Sequence, residues 1–167
     1  MRKESVIFND AHPLSIDEKC RLLIPSDYRQ MLVKLASQAE GSAVDKPDTL
    51  IVKVGQNGRI WIYPQTTYQT ICEQEHGKLT PNDDQLDYEM IHFAMTKSLT
   101  IDSSGRVIVP QAMLKETGTE REVFLLGMKN HLQVWNRLDW EAKQADLRKK
   151  SGEINRRHND AESRVPG

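Results

Sequence analysis

The segment SIDEKCRLLIP at residues 15–25 returns as TIDSSGRVIVP at residues 100–110. In both copies an isoleucine–aspartate pair, Ile16-Asp17 and Ile101-Asp102, precedes an arginine four residues past the aspartate, Arg21 and Arg106. Three aliphatic residues then lead to Pro25 and Pro110. Self-similarity of this kind constrains the fold before any local propensity does, because it sets the chain up as two like units. Each unit alone is too small to bury a good core, whereas two can cover each other's apolar faces. The pattern therefore predicts a pseudo-dimer within one chain.

The likeness extends past the prolines. In the first half Tyr28, Met31, Leu32 and Leu35 recur at helical spacing, with Ser26 as the expected N-cap and Asp27 in the first turn. In the second half QAMLKETG reads as a shorter helix that Gly118 ends. Two strands are then predicted in each half: Leu50–Val54 and Arg59–Pro64 around the turn Gly55-Gln56-Asn57-Gly58, and EVFLLGM and HLQVW around Lys129 and Asn130. Ile60, Ile62, Leu132 and Val134 alternate with other residues as half-buried strands do. Each half reads strand, turn, strand, short helix, strand, turn, strand, and the first carries the extra loop SQAEGSAVDKP. Between the halves a helical linker is expected, with a helix start at Thr80-Pro81 and an apolar face of Leu86, Met90, Ile91 and Phe93. A last helix is predicted over Leu138–Lys149, and the polar SGEINRRHNDAESRVPG beyond it is expected to be mobile.

Composition narrows the function. No apolar run approaches the roughly 20 residues of a membrane-spanning helix, and the basic opening MRKESVIFND has no apolar stretch behind it, so neither membrane nor signal peptide is expected. Cys20 and Cys72 are the two cysteines, with no histidine pair at zinc-finger spacing, so no disulfide framework and no metal are expected. His76, His92 and His131 lack ligand spacing. Asp83, Asp84 and Asp87 read as an acidic first helical turn. No Ser-His-Asp order or phosphate loop stands out, and Cys20 has no evident base, so the chain reads as a non-enzyme without cofactor. Trp61, Tyr63, Trp135 and Trp140 read as core or subunit-interface groups. The net charge of −1 does not advertise nucleic-acid binding, so any DNA site must be a local concentration of positive charge.

A single D-x-x-x-R element reads most simply as an ion pair that fixes a turn. The two elements, the I-P or V-P after each, the strand ending Ile62-Tyr63-Pro64 and the phrase LLGMKNHLQVW at Leu125–Trp135 together resemble the MraZ family of bacterial transcriptional regulators, over about residues 6 to 142. That family is built from two AbrB-like (SpoVT-AbrB) swapped-hairpin units. The resemblance implies an α+β fold of duplicated barrel units: a first unit at 6–64, a helical linker at 65–96, a second unit at 97–137, and a C-terminal helix and tail at 138–167. It also implies a DNA-binding regulator that forms a ring oligomer and acts on promoter repeats near its own operon of cell-division and cell-wall genes. Such a protein would be cytoplasmic and nucleoid-associated. The alternative is an AbrB-fold protein that assembles but has lost DNA contact.

With the resemblance, the two elements favour double-stranded DNA as partner. Arg21 and Arg106 would meet base edges or phosphate, Lys19 phosphate, and Ser103 and Ser104 would donate to phosphate, while Asp17 and Asp102 orient the turn. Lys97 either extends this surface or is a solvated strand-end lysine. Arg29 and Lys34 read as solvated helix residues, and Arg148, Lys149, Lys150, Arg156 and Arg157 make the tail basic. One departure stands out: the residue before the motif arginine is glycine in the second copy, Gly105, as is usual in the family, but Cys20 in the first. If that position requires a left-handed backbone, cysteine strains it.

Overall fold

The computed structural model describes residues 4–39, 47–74 and 82–164. The first half contributes β1 (Ala11–Ser15), β2 (Arg21–Leu23), α1 (Ser26–Gln38), β3 (Thr49–Val54) and β4 (Ile60–Pro64). The linker holds α2 (Gln65–Gln74), α3 (Asp83–Glu89) and a π-helical turn over Met90–Ala94. The second half contributes β5 (Lys97–Thr100), β6 (Arg106–Ile108), α4 (Gln111–Thr117), β7 (Glu122–Gly127) and β8 (Leu132–Asn136), and α5 (Arg137–Glu162) follows. Most of the extra loop, the predicted helix start at Thr80-Pro81 and His76 lie outside the described residues; Asn82 caps α3, its Oδ1 accepting from the Gln85 amide at 2.9 Å.

The strand order β1-β7-β8-β4-β3-β5 is the two-unit architecture written as a palindrome. Strand β1 of the first half pairs with β7 of the second, and β5 of the second pairs with β3 of the first, so the opening strands are exchanged. The halves also join in mid-sheet, where Ile60, Trp61 and Ile62 of β4 face Val134, Gln133 and Leu132 of β8. Among the described residues the short strands β2 and β6 pair only with each other, Leu22 opposite Val107. The fold is the expected α+β class with duplicated units, but its hydrogen-bonded strands do not close into a barrel. Strands β1 and β5 end the six-stranded sheet, because the strands that would bridge its edges form their own two-stranded ribbon.

The core lies between one face of the sheet and a lid made of the ribbon, α1 and α4. Alternation sends Ile60, Ile62, Leu132 and Val134 inward, where they meet Leu22, Ile24 and Tyr28 from the first half and Val107, Val109 and Met113 from the second. Burial on this scale stabilises at roughly 25 cal/mol per Å² of apolar surface. Tyr28 is wholly buried and its hydroxyl donates to the Asn9 and Asp10 carbonyls at 2.7 and 3.0 Å. Both short helices begin after a proline: Pro25 and Pro110 occupy the N-cap positions with φ of −53° and −57°. Ser26 is thus the first helical residue, one place inside the expected cap, because proline presets φ but offers no capping side chain. Gly118 ends α4 at φ 63°, as its placement in sequence predicts.

Helix α5 runs to Glu162 and thus through residues expected to be mobile. Its polar half has no core to pack on, and is laced instead by i,i+4 pairs: Lys150 with Asp146, Arg157 with Glu153, and His158 with Glu162. Among the described residues no helix is long and apolar enough to cross a membrane.

The outer face of the mid-sheet seam carries a polar–aromatic network. His131 stacks on Trp61 and Tyr63, with centroids 4.6 and 5.0 Å away. Its Nε2 lies 3.0 Å from the Gln133 amide nitrogen and its Nδ1 2.8 Å from Asn130 Oδ1, which assigns the proton to Nδ1. Gln133 Oε1 accepts from Trp135 Nε1 at 3.0 Å and Asn57 Nδ2 at 3.1 Å, and Asn57 Oδ1 accepts from Trp61 Nε1 at 2.8 Å. Burial, aided by the charge of Lys53, lowers the His131 pKa from 6.5 to about 4.

The unfolded chain therefore takes up this proton near 6.5 and the folded chain near 4, so the stability that neutral His131 contributes is full above pH 6.5 and falls as pH drops toward 4. Asp17 and Asp102 have carboxyls held below 3.8, so their own contribution is lost only at still lower pH. Thermal melts across this range are expected to show a falling Tm for the parent protein and a flatter profile for His131→Gln; parallel profiles would refute the assignment.

Candidate nucleic-acid interface

The two D-x-x-x-R segments fold as the same turn. In the first, the Cys20 amide donates to the Asp17 carbonyl at 2.9 Å and the Asp17 amide to the Arg21 carbonyl at 3.1 Å; in the second, Gly105 donates to Asp102 at 3.0 Å and Asp102 to Arg106 at 2.8 Å. The turn between β3 and β4 repeats the geometry, with Gly58 donating to Gly55 at 3.0 Å and Gly55 to Arg59 at 2.8 Å. All three belong to the hairpin class in which a residue of positive φ closes the turn. That residue is Gly58 at 70°, Gly105 at 79° and, in the first motif, Cys20 at 59°.

The aspartates brace their turns from inside. Asp17 Oδ1 accepts from the amides of Lys19 at 3.0 Å and Arg21 at 2.9 Å; Asp102 Oδ1 accepts from Ser104 at 2.8 Å and Arg106 at 3.0 Å. The backbone bond from the motif arginine is the largest influence that lowers each carboxyl's pKa. The arginines differ. Arg21 Nε lies 2.7 Å from Asp17 Oδ2, which fixes the guanidinium while leaving its terminal nitrogens free to form a fork. Arg106 is exposed and has no carboxylate partner among the described residues.

Neither turn is the tip of an independent ribbon, because β1 and β5 depart to the large sheet. Instead β2 and β6 run from the turns into one antiparallel ribbon, with Arg21 opposite Ile108 and Leu23 opposite Arg106. Leu22 and Val107 point to the core, so Arg21, Leu23, Arg106 and Ile108 share the outer face. Arg21 and Arg106 are diagonal neighbours, a relation with a usual Cα spacing of about 7–8 Å. The charge of Arg21 also reaches across to lower the Asp102 pKa, in line with this proximity.

The structure thus brings together Asp17, Lys19, Arg21, Asp102, Ser103, Ser104 and Arg106, with Lys19, Ser103 and Ser104 exposed on the turns. It does not bring in Lys97. That residue opens β5 opposite Val52, at the end of the strand remote from the turn, about 17 Å along an extended chain from Asp102. The basic run of the tail is partly neutralised along α5 by the pairs of Lys150 and Arg157. Among the described residues no group of three His, Cys, Asp or Glu side chains could hold a metal.

One basic residue was not legible as part of this surface. Arg29, on α1, donates from Nε to the Ile24 carbonyl at 3.1 Å and lies against the second turn, where a Cβ on Gly105 would come within 2.9 Å of its Cζ. The matching position in the second half is Leu114, which lines one cleft with Cys20. Extending the repeat alignment past the prolines pairs Arg29 with Leu114, and that mismatch of charge is the sequence signal.

The profile of the antitoxin-like MraZ protein family matches residues 7–87 and again 92–161. Proteins named transcriptional regulator MraZ from Neisseria meningitidis and Neisseria gonorrhoeae are 31% identical over 137 residues, spanning 81% of this chain and 84% of theirs. A protein of the same name from Kineococcus radiotolerans is 26% identical over 136 residues, 81% of this chain and 85% of its own.

The positive φ of Cys20 yields a stability prediction. A side-chain-bearing residue in the left-handed region costs roughly 1–2 kcal/mol, and glycine returns about 0.5–1 kcal/mol of that as backbone entropy. Cys20→Gly is therefore expected to raise the Tm slightly, by the equivalent of up to about 1.5 kcal/mol. A lower Tm would mean that the packing of Cys20 in its cleft outweighs the strain.

Proposed function

The chain belongs to the MraZ family, and from that premise we propose that it is a sequence-specific DNA-binding transcriptional regulator. The observation that carries this reading is the shared outer face of the β2–β6 ribbon, on which both motif arginines project beside turns braced by aspartates. A two-stranded ribbon fits the major groove, where an arginine fork matches the O6 and N7 of guanine, and Leu23 and Ile108 supply apolar surface for thymine methyls. Lys19, Ser103 and Ser104 flank that face as phosphate contacts. Asp17 and Asp102 act indirectly, through the turn. Lys97, at the far end of β5, lies outside this interface.

In this reading residues 6–64 and 97–137 are the two units, 65–96 the helical linker and 138–167 the C-terminal extension. The linker presents Met90, Ile91 and Met95, each more than half exposed, together with Tyr88 and Phe93. Such a cluster of exposed apolar side chains on one short segment suits an interaction site. We assign it to contacts between copies that close into a ring, so that several ribbons engage promoter repeats together and weak contacts gain from high effective concentration. The target would be the promoter of its own cell-division and cell-wall operon, and the place of action the cytoplasmic nucleoid. The name that the relatives share, transcriptional regulator MraZ, supports the regulatory role. A second reading, assembly without DNA contact, draws on the Arg21–Asp17 pair and on exposed Glu18 beside it.

Titration of the protein against the DNA upstream of its own gene, over a salt series, separates the readings: specific binding with a negative log–log salt slope supports the first and no binding by intact oligomers the second. Arg21→Ala and Arg106→Ala are each expected to weaken that binding by about 1–3 kcal/mol if they read a base, with oligomer and Tm retained. Wild-type affinity in both variants would refute the site. Light scattering at micromolar concentration is expected to show an assembly larger than a dimer; a stable monomer would refute the ring.

A further inference from the structure

Resting on the reading of the linker as a contact between copies, we infer that what docks there is the distal half of α5 from a second copy, held by an apolar row and by opposite charges. Helix α5 is written in a repeat of seven: RLDWEAK, QADLRKK, SGEINRR and HNDAESR follow one another over residues 137–164. The third place is always acidic, the fourth is Trp140, Leu147, Ile154 and Ala161, and the seventh is Lys143, Lys150, Arg157 and Arg164. Residues seven apart stand nearly above one another on a helix, so the fourth places form an apolar row with the basic row along its flank. A solvated helix gains charge pairs from i,i+4 spacing alone and needs no fixed apolar place. A strict period of seven instead keeps one seam turned toward a partner. Within its own chain that seam is used only at its start, where Trp140 meets Trp135 at 5.9 Å. From residue 151 to 164 every side chain is exposed, Ile154 and Ala161 included.

Charge selects the partner. A second α5 offers the same seam, but an antiparallel pair opposes the two basic rows, and a parallel pair has only polar Gln144, Ser151 and His158 to complete its core. The linker offers the complement. On α3 the exposed residues Asp83, Leu86, Asp87 and Met90 recur at i, i+3, i+4 and i+7, which sets carboxylates and apolar side chains on one face. The π-helical turn and the residue after it continue the apolar surface with Ile91 and Met95, which line a cleft with Val54, Gly55 and Glu116. Residues 82–95 hold four carboxylates and no lysine or arginine, whereas 148–157 hold five cations against Glu153, so the two surfaces attract. Lys150 and Arg157 share their charge with Asp146 and Glu153, but Lys143 has no carboxylate among the described residues, since Asp139 pairs with Arg59. Leu147 and Ile154 would meet Leu86, Met90 and the cleft, with the basic row over Asp83 and Asp87. The two surfaces differ and belong to one chain, so the contact runs head to tail and closes into a ring where the rotation permits.

The test is the mass of full-length variants by light scattering over a dilution series, with helix content and Tm followed by circular dichroism. Lys150→Glu with Arg157→Glu, and separately Asp83→Lys with Asp87→Lys, are each expected to raise the concentration of half-assembly by more than about tenfold, since each opposes like charges. All four substitutions together exchange the two signs and are expected to return assembly to within about threefold of the parent, which a helix merely damaged by its new charges would not do. Leu147→Gln with Ile154→Gln leaves every charge pair of α5 in place and is expected to dissociate the oligomer at an unchanged Tm. A parent that assembles while all of these variants keep its mass would overturn the docking of α5 and leave the ring reading standing. Dissociation by the α5 variants alone would replace the linker by a second α5 as partner and overturn the inference, and so would failure of the fourfold variant to reassemble. A parent that is a stable monomer would overturn the ring reading and this inference with it.

Discussion

Among the described residues strand β2 pairs with β6 alone, and that antiparallel pairing organises the molecule. The ribbon sets Leu22 and Val107 into the core from opposite halves, and the bonds from Ile24 to the Gly105 carbonyl and from Val109 to the Cys20 carbonyl extend it to the turns. Because β1 and β5 leave for the partner half's strands, neither half can complete its sheet or bury its apolar face alone. Exchange converts two marginal units into one core. It also places the two D-x-x-x-R turns at the ends of a single ribbon, so the candidate interface arises from the same pairing that joins the halves.

The same turn geometry is used three times, and what surrounds it decides what it can do. Between β3 and β4, Gly58 closes the turn, and Trp61 lies so close to Gly55 that a Cβ there would fall 2.2 Å from its ring. In the second motif Gly105 accepts both the left-handed backbone and the guanidinium of Arg29. In the first, Cys20 accepts the strain, and Leu114 rather than an arginine shares its cleft. The neighbours of the two turns differ in kind: Arg29 lies against Gly105, while Cys20 and Leu114 line one open cleft. The pseudo-symmetry of the backbone thus carries chemically unequal ends.

The seam between β4 and β8 is held from both faces. Inside are Ile60, Ile62, Leu132 and Val134; outside are His131, Gln133, Trp61, Tyr63 and Trp135, joined by hydrogen bonds and stacking. A neutral His131 suits this network because it donates at one nitrogen and accepts at the other, whereas a protonated ring would point a donor at the Gln133 amide. The aromatic groups that read as core or interface side chains form this second layer, and Trp140 of α5 completes it by an edge contact on Trp135 at 5.9 Å.

Much of this architecture was legible in the residues. The duplicated Ile-Asp and Arg with their following prolines located the two units, the alternation of Ile60 with Ile62 and of Leu132 with Val134 located the seam strands, and Gly118 located the end of α4, since each depends on short-range geometry. The aspartates' place inside the turns was legible for the same reason, as a carboxylate two residues before an amide reaches it within one turn. Which strand pairs with which was not legible in the residues themselves and came only as what the swapped-hairpin resemblance implies, because exchanged and unexchanged pairings bury the same apolar faces and differ only in connection. The open edges of the sheet, the helical course of α5 past Lys149 and the separation of Lys97 from the turns follow from that spatial choice or from side-chain pairs along a solvated helix. The placement of Arg29 shows the division most clearly: its sequence marks it as one more polar helix residue, and only packing across the two halves sets its guanidinium against a glycine 76 positions away.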